Sequence, residues 1–500
     1  GGAAYSMWSG AKRPSVGTFA VTCTAEALAI IVPFALGDRL AIFANLLRPL
    51  GHIGFGGDVI GWTIVTLIVV LPPAFISGIQ FPILIALLGE GGEDVGRDVG
   101  AAYAWNTAGA IAGSLAGGFG LMPLLSAPGC WRLVTALLVI LGAAFALRGR
   151  RIAALAIGIL ALIGIAARGP TAVWRHSGIG AGRAPQPADV NAIRAWIRDA
   201  RRHLVWNVDG RESSIAILDS DDRVFISNGK ADGSARGDCG TQVMAGMIGA
   251  IVHPQPKSAL VIGLGSGSTA GWLGAVPSME RVDVVELEPA VLRVARDNAA
   301  VNHDVLHNPK VHISIADARE VLLTTPRHYD IVFSEPSNPY RAGIASLYTR
   351  EFYQAVAARL NPGGIFLQWV QAYDIDVTTM RTIYSTTRSV FPYIDTYRTT
   401  ETDLLFLSTR APVVYDVPAI RARVARDPYF SAMHFTWRVE SAEGFFSTFV
   451  GNERLPLAIG KADELNTDDK TVVEFGFARS VGDRSRFDIN ELLDFARGAG

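Results

Sequence analysis

Residues 59–88 contain no charged side chain, and Asp58 and Glu90 stand on either side of them. The run exceeds the roughly 20 apolar residues that a helix needs to cross a bilayer. Pro72, Pro73 and Pro82 are expected to kink or break it, which a membrane segment tolerates where neighbouring helices satisfy the freed backbone groups. Residues 18–36, 99–125, 133–147 and 152–167 are further candidate spans. The last two are short and flank Arg148, Arg150 and Arg151, the pattern of a tight helical hairpin. A buried helix of a soluble protein would explain one such run. Five clustered in the first third imply an α-helical transmembrane bundle over residues 1–168.

Within the third span Gly109, Gly113 and Gly117 recur on one helix face. Small residues so placed let a second helix approach closely, so the expectation is a packing seam, or a face for a homodimer or a membrane-protein partner. Glu26 lies inside the first span; an intramembrane acid is a functional candidate, or it faces a polar seam. The flanking charges conflict over orientation. Lys12, Arg13, Arg148, Arg150 and Arg151 fall on one side of a five-span arrangement, which the positive-inside rule makes cytoplasmic. Arg168, Arg175 and Arg183 follow the last span and argue the reverse. The cofactor inferred below is a cytoplasmic compound, so the expectation is a multi-pass protein of the inner membrane with its soluble part in the cytoplasm. Gly1 suits a processed chain or a piece of a longer one, and the opening residues lack the layout of a signal peptide.

The rest of the 500-residue chain has ordinary soluble composition. A net charge of -1 with no basic block excludes a nucleic-acid footprint. Cys23, Cys130 and Cys239 lie far apart and read as plain thiols. His253, His303, His307, His312 and His328 have no ligand spacing, so no metal is expected. Residues 169–203 read as a Gly-, Pro- and Arg-rich linker followed by a helix with apolar Val190, Ile193, Trp196 and Ile197. Strand, polar turn and strand at 214–226 form a hairpin pattern. Asn228-Gly229 suits another tight turn, so residues 204–257 read as a small β subdomain. From 258 strands and helices alternate, with strands expected at 259–262, 282–286, 311–315, 331–333 and 365–370. Alternation implies a parallel sheet with helices on both faces: a Rossmann-like domain over 258–480, then a tail, 481–500.

The motifs fall at the carboxyl ends of these strands, where such sheets bind ligands. Gly263, Gly265 and Gly267 follow the first strand and let the backbone turn sharply against a ligand. Glu286 ends the second strand, where a carboxylate can accept both hydroxyls of a ribose. Asp317, before Ala318 and Arg319, closes the third and can accept from an adenine amino group. Together they describe an adenosine site, closer to S-adenosylmethionine chemistry than to a dinucleotide.

Taken with Ser334-Glu-Pro-Ser-Asn-Pro339 and Ala345-Ser-Leu-Tyr-Thr-Arg-Glu-Phe-Tyr353, these stretches resemble the polyamine aminopropyltransferase (spermidine synthase) family, and most its bacterial branch fused to membrane helices. The resemblance covers about residues 204–480. It implies an α/β Rossmann-like methyltransferase fold preceded by a small β domain, a homodimer, and passage of an aminopropyl group from decarboxylated S-adenosylmethionine to a diamine. It also implies roles: Gly263, Gly265, Ser266, Gly267, Glu286, Asp317 and Ala318 on the cofactor, Glu335 as the base, and Gln242, Asn338 and Tyr340 on the acceptor. Arg341, Gln368 and Gln371 would lie near that pocket, Trp369 in the core, and Asp374 and Asp376 in solvent.

Two positions depart from the family's pattern. The family holds the diamine with two acids after the fourth strand; here they are Glu335 and Asn338, one lengthened and one uncharged. Its glycine loop carries an Asp that meets the aminopropyl amine; here it is Ser266, which would not repel the carboxylate of intact S-adenosylmethionine. Three readings follow: an aminopropyltransferase on an amine, a methyltransferase on a lipid or small molecule, and a catalytically silent membrane assembly subunit.

Overall fold

The computed structural model describes residues 1–8, 14–88, 95–149, 152–178, 189–341, 343–480 and 489–499. Lys12, Arg13, Glu90, Arg150, Arg151, Arg183 and the 481–488 stretch of the tail lie outside them. The chain forms two compact units, residues 1–202 with 207–214, and 203–206 with 215–500.

The first unit is helical. Its central helix, Val16–Leu36, starts at Ser15, whose hydroxyl accepts from Thr18 N–H at 3.2 Å. Ala20, Ala27, Ile31 and Phe34 are buried on it. Helices Met122–Gly149 and Ile152–Ile165 press against this face at glycines. A Cβ at Gly142 would lie 2.5 Å from Thr24 Cγ2, and one at Gly164 would lie 2.8 Å from Ile31 Cγ2. The close-approach seam is therefore here and not at Gly109, Gly113 and Gly117, whose Cβ positions have nothing within 4 Å. Their helix, Val95–Ala116, turns its apolar residues outward, Trp105 being 79% exposed, and Gly117 opens a π-helical turn, Gly117–Leu121. Glu26 accepts from Gln80 Nε2 at 2.7 Å, so this acid faces a polar seam between helices.

The run at 59–88 is broken just before Pro72 into two helices, Phe55–Val69 and Leu71–Leu88, while Pro82 lies inside the second. Pro72 and Pro73 occupy the first turn of the second, where a missing N–H breaks no helical bond. The expected break between 125 and 133 is instead a kink inside Met122–Gly149, at Ser126 with φ 60°. Among the described residues three stretches are long and apolar enough to cross a membrane: Val16–Leu36, Leu71–Leu88 and Gly96–Arg148. Ile152–Ile165 spans only about 21 Å at 1.5 Å per residue. The start of the expected linker is tied down. Thr171 N–H donates to Asp38 Oδ1 at 2.7 Å, and Arg175 pairs with Asp209 at 2.6 Å.

Strand β1 (Leu204–Asp209) is divided between the units. In the second unit β2 (Ser214–Asp219), β3 (Arg223–Ser227) and β4 (Lys230–Ser234) form an antiparallel meander. Asn228 and Gly229, at φ 49° and 82°, make the two-residue turn that the twist of a hairpin favours. Helix Cys239–Val252 follows and is buried on every side, apolar apart from Thr241 and Gln242 in its first turn.

The large sheet holds β5 (Ser258–Ile262), β6 (Arg281–Glu286), β7 (Val311–Ile315), β8 (Tyr329–Ser334), β9 (Leu360–Gln371), β10 (Tyr393–Arg398), β11 (Asp403–Thr409) and β12 (Phe449–Gly451). Their spatial order is β7-β6-β5-β8-β9-β11-β10-β12. The five strands β5 to β9 pair in parallel, and β9, β11, β10 and β12 pair antiparallel. The sheet is thus mixed, not purely parallel. The order of its first seven strands is that of a methyltransferase-like α/β fold. Leu260, Val332, Phe366 and Phe352 fill one face of it and are almost completely buried, which is why these strands read as continuous apolar runs.

Candidate active site

The parallel strands run outward from β5 in two directions, through β6 on one side and β8 on the other. A crevice opens outside the carboxyl ends of strands at such a switch point. Two loops meet in it, 263–267 after β5 and 335–341 after β8.

Gly263, Gly265 and Gly267 have φ of 95°, 52° and 80°, values that glycine alone adopts without strain. A Cβ at Gly263 would sit 2.9 Å from the carbonyl oxygen of Glu335, so the first glycine also lets the two loops touch. Asn302 Nδ2 holds the turn from below, donating to Ser266 O at 2.7 Å and Ala295 O at 2.8 Å.

Glu286 accepts from Leu264 N–H at 2.9 Å on Oε2 and from Glu288 N–H at 2.8 Å on Oε1. Each oxygen keeps a second lone pair, enough for a diol. Burial raises its pKa, against the lowering effect of those two N–H groups. Asp317 caps helix Ala318–Thr324, taking Arg319 N–H at 2.8 Å and Glu320 N–H at 3.0 Å, both on Oδ1. Its Oδ2 takes neither bond. Arg319 reaches away from the crevice to Asp468, Nη1 to Oδ1 at 2.7 Å, so the Asp468 carboxylate anchors this corner.

Gln242, on the buried helix, meets the glycine loop. Ser266 Oγ donates to Gln242 Oε1 and lies 2.9 Å from Ser268 Oγ. Thr269 Oγ1 donates to Gln242 O at 2.5 Å and lies 3.5 Å from Glu335 Oε2. A side chain at Gly233 of β4 would collide with the Gln242 amide. Gln242, Ser266 and Glu335 are therefore one connected group.

Glu335 is the most perturbed acid here: its pKa is pushed up to about 8. Burial is the main cause, followed by the charges of Asp403 and Asp238; Thr269 opposes them. Asp403 accepts from Thr241 Oγ1 at 2.8 Å and Thr400 Oγ1 at 3.0 Å. Burial also raises Asp238. A carboxyl poised near neutrality, within reach of a bound nucleophile, is what proton transfer requires.

Asn338 is completely buried. Its Nδ2 donates to Gln371 Oε1 and to Tyr373 Oη at 3.3 Å, while its Oδ1 has no partner. Tyr340 Oη is also buried without a partner. Arg341 turns to Asp232, at 2.8 Å and 3.2 Å, and to Ser227 O at 2.7 Å, fastening the loop to the meander. Gln368 and Gln371 are both fully buried and Trp369 is in the core. Asp374 is buried, not solvated, and Asp376 caps helix Val377–Arg388 through Thr379 N–H at 2.7 Å.

Lys230, Asp232, Asp238, Tyr373 and Asp403 escaped the sequence reading. Lys230 and Asp232 follow directly on the Asn228-Gly229 turn, and Asp403 opens a plain apolar strand run, Leu404-Leu-Phe-Leu407. Nothing local shows that these segments meet.

Residues 239–402 match the spermine/spermidine synthase domain. A polyamine aminopropyltransferase of Nitrosomonas europaea is 26% identical over 234 residues, 44% of this chain and 72% of its own length. One from Mycobacterium tuberculosis is 29% identical over 353 residues, 66% of this chain and 64% of its own. That match is too long to lie wholly C-terminal of residue 239. The thermospermine synthase ACAULIS5 of Arabidopsis thaliana is 29% identical over 37% of this chain, which spans 56% of it. A spermidine synthase crystal structure with the transition-state analogue AdoDATO is similar at 20% identity and a TM-score of 0.40, over 45% of this chain and 79% of the other.

Proposed function

We propose that the second unit is an aminopropyltransferase that takes decarboxylated S-adenosylmethionine as donor and an amine as acceptor. The observation that carries this reading is Glu335, a carboxyl raised to about 8 beside the glycine loop and joined through Thr269 and Gln242 to Ser266. The family of residues 239–402 and the names of the relatives support it.

In this reading the Gly263–Gly267 turn and Glu286 hold the nucleoside, with the ribose on the free lone pairs of Glu286 and the adenine amino group on Asp317 Oδ2. The acceptor nitrogen forms a bond to the propyl carbon next to the sulfonium. The carbon–sulfur bond breaks, its electron pair stays on sulfur, and methylthioadenosine leaves. Glu335 takes the proton that the nitrogen gives up. The chain's contribution is mostly alignment of amine, carbon and sulfur, with proton removal added.

Methylthioadenosine formed by the full-length protein from decarboxylated S-adenosylmethionine and an amine is the expected product. S-adenosylhomocysteine from intact S-adenosylmethionine would replace this reading with methyl transfer, the outcome that Ser266 favours. Neither product would leave a silent subunit. The Ser266 hydroxyl is engaged with Gln242 and Ser268, so the second reading rests on the missing carboxylate and not on a bond from Ser266.

Asp317 offers a further check. Asp317→Ala should cost about 0.5–2 kcal/mol of stability by loss of the cap, and should weaken donor binding. Asp317→Asn keeps a capping oxygen but presents an amide where the adenine amino group needs an acceptor. Its melting temperature should stay close to wild type while the donor Kd rises. Unchanged donor affinity in Asp317→Asn would leave this residue only its cap.

The first unit we read as a multi-pass membrane anchor in the inner membrane, with the second unit in the cytoplasm. Its support is three long apolar stretches and outward-facing Trp62, Leu67, Trp105, Ile111 and Leu124, more apolar surface than water tolerates uncovered. A homodimer or a membrane-protein partner could use the uncovered Gly109–Gly113 face. Recovery in the membrane fraction after alkaline washing is the expected behaviour; release by the wash would remove the anchor.

A further inference from the structure

The acceptor end of the crevice carries a buried cation. Lys230 is only 8% exposed. Its Nζ donates to Tyr373 Oη at 3.2 Å, the same hydroxyl that takes Asn338 Nδ2 at 3.3 Å. Its ion-pair partner among the described residues is Asp232, at 3.6 Å, beyond hydrogen-bond range. That carboxylate is already engaged: Arg341 binds both its oxygens, at 2.8 Å and 3.2 Å, and Ser337 Oγ lies 3.1 Å from Oδ2 and 3.2 Å from Oδ1. Two cations thus share one acid at close range, while Asp238 acts on Lys230 from farther off; of the protons on Lys230 Nζ, one is accounted for by Tyr373. Burial alone would discharge Lys230, but Asp232 and the two tyrosines, Tyr373 and Tyr340, raise its pKa overall, so it stays an ammonium.

Glu335 lies near Asp238 and Asp403, a group rich in carboxylates. A diamine needs an acid at both ends. Here its second ammonium would meet Lys230 and Arg341, and like charges in a buried site cost several kcal/mol as an order of magnitude.

We propose that the acceptor is an amino acid in the broad sense, with its amine at Glu335 and a carboxylate held by Lys230 Nζ and Asn338 Nδ2. This rests on the aminopropyl-transfer reading and names the substrate class of that site. The Tyr373 hydroxyl, now taking both donors, would turn to donate to the carboxylate. A carboxylate between an ammonium and an amide N–H gains charge-assisted bonds.

The test uses two acceptors of equal length, 4-aminobutanoate and 1,4-diaminobutane, with the full-length protein, decarboxylated S-adenosylmethionine, and methylthioadenosine release as readout. The expected result is a kcat/KM at least about tenfold higher for 4-aminobutanoate, which is 1.4 kcal/mol of discrimination. Lys230→Met should erase or reverse that preference. Because Lys230→Met removes a buried charge and can fail to fold, Asn338→Asp is the second variant. It leaves Lys230 in place, adds a carboxylate to the same corner, and should move the preference toward the diamine. Preference for the diamine by the wild type, or the same ratio in both variants, overturns the inference and leaves aminopropyl transfer standing. Absence of methylthioadenosine with either acceptor overturns the transfer reading, and the inference with it.

Discussion

Glu335→Gln should lower methylthioadenosine formation by about 10²–10⁴-fold, the usual range for loss of a positioned general base, and leave donor affinity nearly unchanged. The argument is electrostatic. Burial, Asp403 and Asp238 raise this carboxyl from 4.5 to about 8, so it holds a proton with a strength much closer to that of an amine than an ordinary glutamate does. Its pH dependence separates this role from a steric one. The free enzyme needs Glu335 ionised, so kcat/KM should rise steeply with pH and less steeply above about 8, the value set by its environment. A second limb near about 10, from the acceptor's own amine, should persist in Glu335→Gln while the lower limb disappears. If the lower limb survives the substitution, Glu335 is not the titrating group. Stability follows the opposite course. Between pH 4.5 and about 8 the folded protein keeps a proton that the unfolded chain gives up. Glu335 therefore costs stability as pH rises through that window, and nothing further above it. The glutamine variant should be the more stable one at pH 8 and lose that advantage toward pH 4.5.

Gly263→Ala should damage both binding and turnover. At φ 95° an alanine is strained, by roughly 1–2 kcal/mol from the left-handed conformation alone. The added methyl would also stand 2.9 Å from the Glu335 carbonyl oxygen, which is backbone and cannot rotate away. Overpacking of that kind costs about 1–3 kcal/mol. Relief requires one loop to move, and the two loops carry the donor turn and the base. A raised donor KM together with a kcat lowered at least about tenfold is expected, because a base displaced by an ångström loses its alignment. Gly265→Ala is the comparison. It has a similar positive φ of 52°, but its nearest neighbour is the ring of Phe225 at 3.7 Å. It should show the backbone penalty without the loss in kcat. Equal kcat in the two variants would mean that the contact between the loops does not position Glu335.

How far the chain could be read depended on the range of the forces involved. The parallel strands and the hairpin at 214–226 were legible because their apolar periodicity is local, and the observed strands lie within a few residues of those expected. The antiparallel β10, β11 and β12 were not. In β10 Asp395 and Thr396 interrupt the apolar residues, and these two, like Asp403 at the start of β11, are buried by partners elsewhere in the sequence. In the first unit, glycine spacing pointed to Gly109, Gly113 and Gly117, but spacing marks a face that can be approached and not the helix that approaches it. Gly142 and Gly164, which have no regular repeat, are the ones in contact.

By itself the sequence determined the glycine turn, the acids that close β6 and β7, and Glu335 and Asn338 in the loop after β8, since each depends on residue type and on position along one strand. Only the tertiary structure decided what these residues are. It joined Ser266 to Gln242, surrounded Glu335 with Asp238 and Asp403, and set Lys230 beside Asn338. Charge, proton affinity and hydrogen-bond partners are properties of neighbours in space, and in this crevice the neighbours come from segments as far apart as residues 230 and 403.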